Sequence, residues 1–585
     1  MTSVGDQLNI PESGWKRYDD MHPTLKYNGP WSTVSNNADV HLGTAHYMVL
    51  SGPSTGSIEF HFYGSKIRLI DLHWTDRVDN VTVDIDGVVS TYNPNNSANK
   101  YQVIVFEELH LPLKLHRVKL TTTSTSNNFS LDAIDIDSDG RMLHPDEVTD
   151  PIELSVGKRI RCSYRGILPQ LTGVFTGLGQ ESFDFLPTSS SGISFPYGDF
   201  YLIMTETQDK KKMLVSDRNI QHFVSWDTIN SAGMVSGLQL EGQQVLVSAL
   251  PPITANEAPY GKASASSIYS TTYDAYRAFD KTGIAWLMQN QRWNGSWVRF
   301  DFVNSKIIKA YSYTQDITPG TDSPRAWRVE GSNDGGSTWT VLDTQTNQTG
   351  WTTGLRRQYS IPEGNAGAYT SYRMVFTANG GGAYIRVREV DFLEEVTQLS
   401  DTLVRLMSGG ASAEDTNNEW DRYIVHSTLN NTITAGDDHI WNWSGAASWT
   451  STTNNVGPTY RTGRGGISGD VSAIVHNPSN YSAAAQGTGF RPILVIPYIH
   501  KTRTLIKTEG KHKAYRDGQW TTISTVLPSI VTLLNEGMSD LTVLDRKSST
   551  FAKSMTSKSE LGSGKVFNST LDLKKYIEIT NLSIQ

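Results

Sequence analysis

A mostly β, multi-domain protein is what the sequence predicts, and three observations carry the prediction. Runs such as 57–62 (Ser-Ile-Glu-Phe-His-Phe) and 81–85 (Val-Thr-Val-Asp-Ile) alternate apolar and polar side chains. That pattern places one set in a core and the other in solvent. The 49 glycines, 15 tryptophans and 25 tyrosines combine turn formers with aromatics that favour strands. Finally, the 585 residues suggest about three to five domains, each able to bury a core of its own.

The first segment, residues 11–147, reads as a β-sandwich. Alternating runs at 57–62, 66–70 and 81–85 are followed by the turn Asp86-Gly87, then by strand patterns at 102–106 and 117–120. The pieces GSIEFHFYGSKIRL, VTVDIDG, LHRVKL and FSLDAIDID follow in order. Together they resemble a galactose-binding-like jelly roll. Residues 148–252 read as a small β-rich connecting domain, with SVGKRIRCSYRG and GDFYLIMTETQDKKKMLVSDRNIQHFVSWDTIN as its strand-bearing stretches. Their texture is similar to that of tail-associated proteins of phages that infect Gram-positive bacteria. Pro251-Pro252 marks a boundary.

Residues 256–396 contain AYRAFDKTGIAW, SWVRFDFVNSKIIKAYSYT, RAWRVEGSNDGGSTWTVLDT and YRMVFTANGGGAYIRVREVDF. In order and spacing they resemble a discoidin domain, also called coagulation factor 5/8 type C. The resemblance implies a second jelly-roll β-sandwich, with loops at one end that bind glycans, lipid headgroups or protein surfaces. Leu399, Leu403, Leu406 and Met407 then stand at helical spacing, so 397–410 is expected to be a helical linker ended by Gly409-Gly410. Residues 411–500 carry NEWDRYI, IWNWSGAASWTSTT, YRTGRGGISGD and GTGFRPILVI. They are similar to the C-type-lectin-like fold of formylglycine-generating-enzyme type. Paired glycines allow close turns there, and Arg464 and Arg491 can tie loop carbonyls. The catalytic members of that family use cysteine pairs, so only the binding use of the fold carries over. Residues 501–585 form a Lys/Ser/Thr-rich tail, with a hairpin expected about Asp517-Gly518 and a short helix over 528–536.

Two cation sites are candidates. Asp135, Asp137 and Asp139, followed by Gly140, match the first half of a calcium loop, in which alternate carboxylates wrap one hard cation. The same residues also fit a last strand running into a Ser-Asp-Gly turn. The discoidin resemblance implies a structural calcium ion at Asp280, Thr282 and Glu389; the competing reading is turn capping by Asp280 and a surface Glu389.

Sugar rings present apolar C–H faces to exposed aromatic rings, while amides and charges take the hydroxyls. The resemblance places Trp286, Arg292, Trp293 and Tyr384 in or beside the loops of the discoidin-like segment. Trp441, Trp443, Trp449 and Tyr460 are the corresponding candidates in the lectin-like segment. Trp297, Trp327 and Trp339 fall on strand patterns and are expected in the core.

The net charge of -8 is spread along the chain, without the basic face a nucleic-acid binder shows. Cys162 is the one cysteine, which excludes a disulfide framework and a cysteine zinc site. Residues 1–10 lack the basic start and apolar core of a signal peptide, and no run of apolar residues is long enough to span a bilayer. Glu107-Glu108 and Glu394-Glu395 are adjacent carboxylates, but neighbours on a strand point to opposite faces and cannot flank one glycosidic bond. No nucleophile elbow, zinc-protease helix or phosphate loop appears. The sequence therefore leads to the expectation of a non-enzymatic, oligomeric phage tail protein that attaches to host cell-wall glycan and contacts other tail proteins within the virion. The alternatives are a glycan-degrading enzyme with carbohydrate-binding modules and a purely structural particle protein.

Overall fold

The structure, a computed structural model, describes residues 2–53, 56–188, 194–209, 211–289, 294–316, 320–467, 469–481, 487–497, 505–516, 519–528 and 532. Two compact units divide the chain, Met1–Tyr498 and Ile499–Gln585. The fold is mostly β, as the alternating runs predict.

The first sandwich packs a sheet of Trp15–Asp19, Ala133–Asp137, Ile67–His73 and Lys100–Glu108 against one built on Ser57–Gly64, Lys114–Thr122 and Val81–Ile85. Ile58, Phe60 and Phe62 from one layer meet Ile67, Leu69, Ile134 and Ile136 from the other. Ile67–His73 is buried along its whole length, because Leu8 and Ile104 cover Ile70 on the outer face.

What the sequence divides into three pieces, the structure joins into one domain. A sheet runs through Glu147–Val148, Arg159–Arg165, Tyr197–Gln208, Lys211–Ser216, Pro492–Pro497, Ser400–Leu406 and Leu238–Glu241. Ile160, Leu202 and Leu214 share a core with Val404, Trp449, Phe490 and Leu494. The connecting segment and the lectin-like segment, as far as Pro497, are therefore two halves of one carrier domain, and the segment between them is an insertion. The expected helical linker at 397–410 is corrected as well: Ser400–Leu406 is a strand, pairing Val404 with Leu494 and Leu403 with Val495. Arg464 and Arg491 are buried and tie loops as expected. Arg464 grips Asp421 Oδ1 at 2.5 Å and donates to Gly409 O at 2.7 Å, while Arg491 donates to Ser216 O and Asn442 O. Gly466, at φ 79°, lies so close to Ala447 that a Cβ would stand 2.3 Å from its nitrogen.

The inserted sandwich is organised by one long strand, Trp297–Thr314. Its first half pairs with Gly261–Ala265 and Ala368–Asn379, and its second half with Glu389–Thr397 and Arg356–Ser360. A register shift between Asp301 and Lys306 interrupts its pairing with Ala368–Asn379 near the middle of the strand. Trp286, Trp327, Phe300, Tyr313 and Phe376 fill the core. Trp327 is core as expected, but Trp297 and Trp339 are only half-buried; Trp339 lies beneath Arg373, 3.9 Å from its ring centroid.

In the second unit, Leu505–Thr508, Lys511–Arg516 and Gln519–Ser524 form an antiparallel three-stranded sheet. Arg516 pairs with Gln519, while the turn expected at Asp517-Gly518 lies outside the described residues. The helix expected over 528–536 falls almost wholly outside the described residues.

Candidate functional site

The register of the inserted sandwich gathers its functional loops at one end. Trp297 pairs with Val375, Pro324 with Asn379 and Leu287 with Arg386. The chain segments that adjoin these positions therefore meet at one end of the sandwich. Main-chain bonds lock them together: Gly382 N donates to Thr321 O at 3.0 Å, Gly380 N to Ser323 O at 3.0 Å, and Gly354 N to Gln315 O at 3.1 Å.

Three tyrosines stand on this platform. Tyr269 is 53 % exposed, the most accessible of them, and its N–H donates to Leu287 O at 2.8 Å. Its ring meets Tyr384 edge to face at 5.9 Å and Tyr273 at 6.2 Å. The loop that carries Tyr384 is held by Asn379, whose amide donates to Gly382 O and Tyr384 O, and by Asp322, which accepts from Tyr384 N. Arg386 lies 5.8 Å from the Tyr273 ring and pairs with Asp316 at 3.3 Å. The result is a partly exposed aromatic corner with a charged edge, built on fixed main chain. On the chain just before it, Ser267 and Ile268 help to line a groove of about 430 Å³ with Asn256, Lys262 and Asp274.

Of the residues expected to bind sugar here, Tyr384 is half-buried and in place, while Arg292 and Trp293 lie outside the described residues. Trp286 is corrected to a core residue: it is fully buried, stacks on Phe376 and donates its indole N–H to Ser267 O. Tyr269, Tyr273 and Arg386 were missed, although two tyrosines within a run of small polar residues between strands were the available signal. In the carrier domain the correction is broader. A helical turn, Asp438–Trp441, followed by Asn442 at φ 45°, directs both Trp441 and Trp443 into the core. Trp449 is fully buried and donates to Val224 O at 3.0 Å. Tyr460 alone of these four, among the described residues, keeps partial exposure, beside His476.

In both candidate cation sites the structure shows carboxylates engaged by protein groups. Asp135 and Asp137 belong to the strand Ala133–Asp137 and are fully engaged by protein groups. Arg17 binds Asp135 through two nitrogens at 2.6 and 2.9 Å, and Asp137 accepts from Ser65 and Lys66. Asp139 is exposed in the turn beyond. In the inserted sandwich, Asp280 caps its own turn by accepting from Thr282 N and pairs with Arg277. Glu389 faces the Lys281 ammonium at 3.0 Å, which is also 3.0 Å from Asp391. A lysine thus answers Glu389, one of the two carboxylates of the calcium reading, and Arg277 answers the other, Asp280. Burial alone would lower Lys281, but Asp391 and Glu389 outweigh it and hold the ammonium above the usual lysine range. Burial pushes Glu389 up to about 8, with Lys281 drawing it back. Of the carboxylates weighed for catalysis, Glu107 is taken by Arg68, and Glu394 by Arg165 and Lys306.

The first sandwich holds a second group of buried acids. Asp20, Asp71 and Asp132 are fully buried. Asp20 binds His46 at 2.6 Å, Asp71 accepts from Ser130, and Asp132 accepts from His41 N. Burial, reinforced by the neighbouring acids, pushes Asp19 up to about 7 and Asp132 up to about 8. Burial likewise raises Asp71 to about 6.

Residues 262–390 match the F5/8 type C domain family, so the inserted sandwich is a domain of that type. Among solved structures, the chain is similar to chitosan-binding module 1 of a Paenibacillus sp. IK-5 chitosanase/glucanase, at 20% identity over 24% of this chain and 99% of that one, with a TM-score of 0.20. It is similar to the F5/8 type C domain of a Bacteroides fragilis protein, at 16% identity over 24% and 93% of the two chains, TM-score 0.20. A family 32 carbohydrate-binding module of Clostridium perfringens, solved with galactose, gives 13% identity over 23% and 93%, TM-score 0.20. No curated protein matches the chain.

Proposed function

We propose that this chain is a non-catalytic carbohydrate-binding protein whose glycan platform is the Tyr269, Tyr273, Tyr384 and Arg386 corner of its F5/8 type C domain. The observation that carries the reading is the right-angled pair of Tyr269 and Tyr384 on main chain fixed by Asn379 and Asp322. Such a corner offers ring faces to a sugar's C–H surface, and Arg386 offers donors to its hydroxyls. Preorganised aromatic contacts lose little side-chain entropy on binding.

The setting we propose is a phage tail or tail tip: an oligomer, joined to other tail proteins, that attaches the virion to host cell-wall glycan. In its favour are several sandwich-like domains in one chain and the gain that multivalency gives to individually weak sites. The test is binding of labelled full-length protein to purified host cell walls, followed together with release of reducing sugar. Binding that falls on Tyr269→Ala without sugar release supports the proposal. Sugar release would instead make the domain an accessory module of a glycan-degrading enzyme. Absence of binding by the intact protein would overturn the glycan platform.

A further inference from the structure

The outer face of the first sandwich carries a groove of about 540 Å³, lined by Glu59, His61, Asp84, Lys114, Arg117 and Lys119, with the Asp86-Gly87 turn and Pro145 at its sides. Small-molecule sites are on the order of 300–1,000 Å³. Strand register explains how these groups come together. Lys119 sits across from Glu59 on one side and Asp84 on the other, and Arg117 sits across from His61. Alternation turns all of them to the solvent face, while Phe60, Val118 and Val83 point into the core.

On an ordinary solvated sheet face each cation would answer a neighbouring carboxylate. Here the pairing stops one short. Lys119 is held by Glu59 at 2.8 Å and Lys114 by Asp86 at 2.8 Å. Asp86 also binds the His116 ring and the Arg117 main-chain N–H, so it is fully engaged. The exposed Arg117 guanidinium makes no hydrogen bond or ion pair with a described residue. Its strand neighbour His61 is kept below the usual histidine range by burial, then by Arg117 and Lys158, and so is neutral at neutral pH. Asp84, which among the described residues accepts only from Gly87 N at 2.7 Å, has a carboxylate face left for further donors.

We infer that this groove binds an anionic saccharide, with Arg117 taking its charged group through two parallel N–H donors and Asp84 accepting from its ring hydroxyls. A guanidinium matches a carboxylate or phosphoryl group in plane and spacing, and charge-assisted bonds of this kind are stronger than neutral ones. The groove is separate from the tyrosine corner, so the protein has two carbohydrate sites of different chemistry.

Saturation-transfer NMR with the full chain tests this, using digalacturonate, uncharged galactobiose and glucose 6-phosphate as probes. Digalacturonate should receive saturation and galactobiose should receive none through this groove. Arg117→Ala should weaken digalacturonate at least about tenfold, in keeping with loss of a charge-assisted pair. Arg117→Lys should weaken it less, and the loss on Arg117→Ala should persist in a Tyr269→Ala background. Arg117-dependent saturation of glucose 6-phosphate would support the groove and assign a phosphoryl group to it. The inference is overturned if neither anionic sugar is saturated, if Arg117→Ala changes nothing, or if only Tyr269→Ala abolishes the signal. Arg117 is exposed, so circular dichroism of Arg117→Ala should match the unaltered protein. Failure of the tyrosine platform would appear separately, as wall binding indifferent to Tyr269→Ala.

Discussion

Arg165 and Glu394, 229 residues apart, form an ion pair of 2.6 Å at the root of the inserted domain. Arg165 is 3 % exposed in its side chain and also donates to Ser248 O, on the strand by which the chain enters the insertion. One guanidinium therefore holds the incoming and the returning strand of the F5/8 type C domain to the carrier sheet. Arg165→Ala should cost roughly 3 kcal/mol, the low end for a broken buried pair, because Lys306 still answers Glu394. Differential scanning calorimetry of the full chain would measure it, and an unchanged profile would remove Arg165 from this role.

Tyr269→Ala and Trp449→Ala should separate binding from folding. Loss of the exposed tyrosine should weaken wall binding by about 1 kcal/mol, as for other aromatic contacts, without moving the melting temperature. Loss of the buried tryptophan should destabilise the carrier domain by about 3–5 kcal/mol. Paired thermal melts and wall-binding isotherms check both, and a Trp449→Ala protein of full stability would return that residue to the surface.

The calcium question has a direct thermal answer. With Lys281 between Glu389 and Asp391, chelator-treated protein and calcium-loaded protein should melt at the same temperature. Lys281→Met leaves two buried carboxylates facing each other and should cost roughly 3–5 kcal/mol. A calcium-dependent rise in the melting temperature of the unaltered chain would restore the metal reading.

The buried acids of the first sandwich make stability fall as pH rises. Asp19 and Asp132 have folded-state pKa values above those of an unfolded aspartate. Their contribution is complete below about pH 4 and is lost as pH passes through the folded values. The buried His22, His144 and His222 have lowered values, so their contribution grows with pH and is complete by about pH 7. Between about pH 7 and 9 the aspartates, together with Glu389, therefore set the slope. Melting temperature should decline across that window, and Asp132→Asn should flatten the decline while still accepting from His41 N. An equal slope in the variant would exclude Asp132 as a source.

Local pattern made the strands of both sandwiches legible, because residues such as Ile58, Phe60 and Phe62 alternate with half-exposed Glu59 and His61. It failed where a strand is buried on both faces. Leu403 packs against one core and Val404 and Leu406 against the other, so apolar residues occur at any spacing and mimic a helix. The halves of the carrier domain were read apart for a related reason: the pairing of Lys211–Ser216 with Pro492–Pro497 joins residues on opposite sides of the whole insertion, and no local signal records it. Of the site, the domain type was legible from its motifs, but the choice among aromatics was not. Trp449 and Tyr269 differ in whether a distant strand covers them, and that is decided only by the assembled sheet.

The strand that enters the insertion, Gln244–Ser248, lies paired with Glu389–Thr397, the strand that leaves it. A glycan bound at Tyr269 would thus pull on the carrier through two adjacent covalent tethers cross-linked by a ladder of main-chain bonds. Load is shared, and neither tether can lengthen without first unzipping from the other. A lone flexible linker would let the binding head swivel and relax under tension; this arrangement keeps its heading relative to the carrier and turns a tug on the sugar into strain on a sheet.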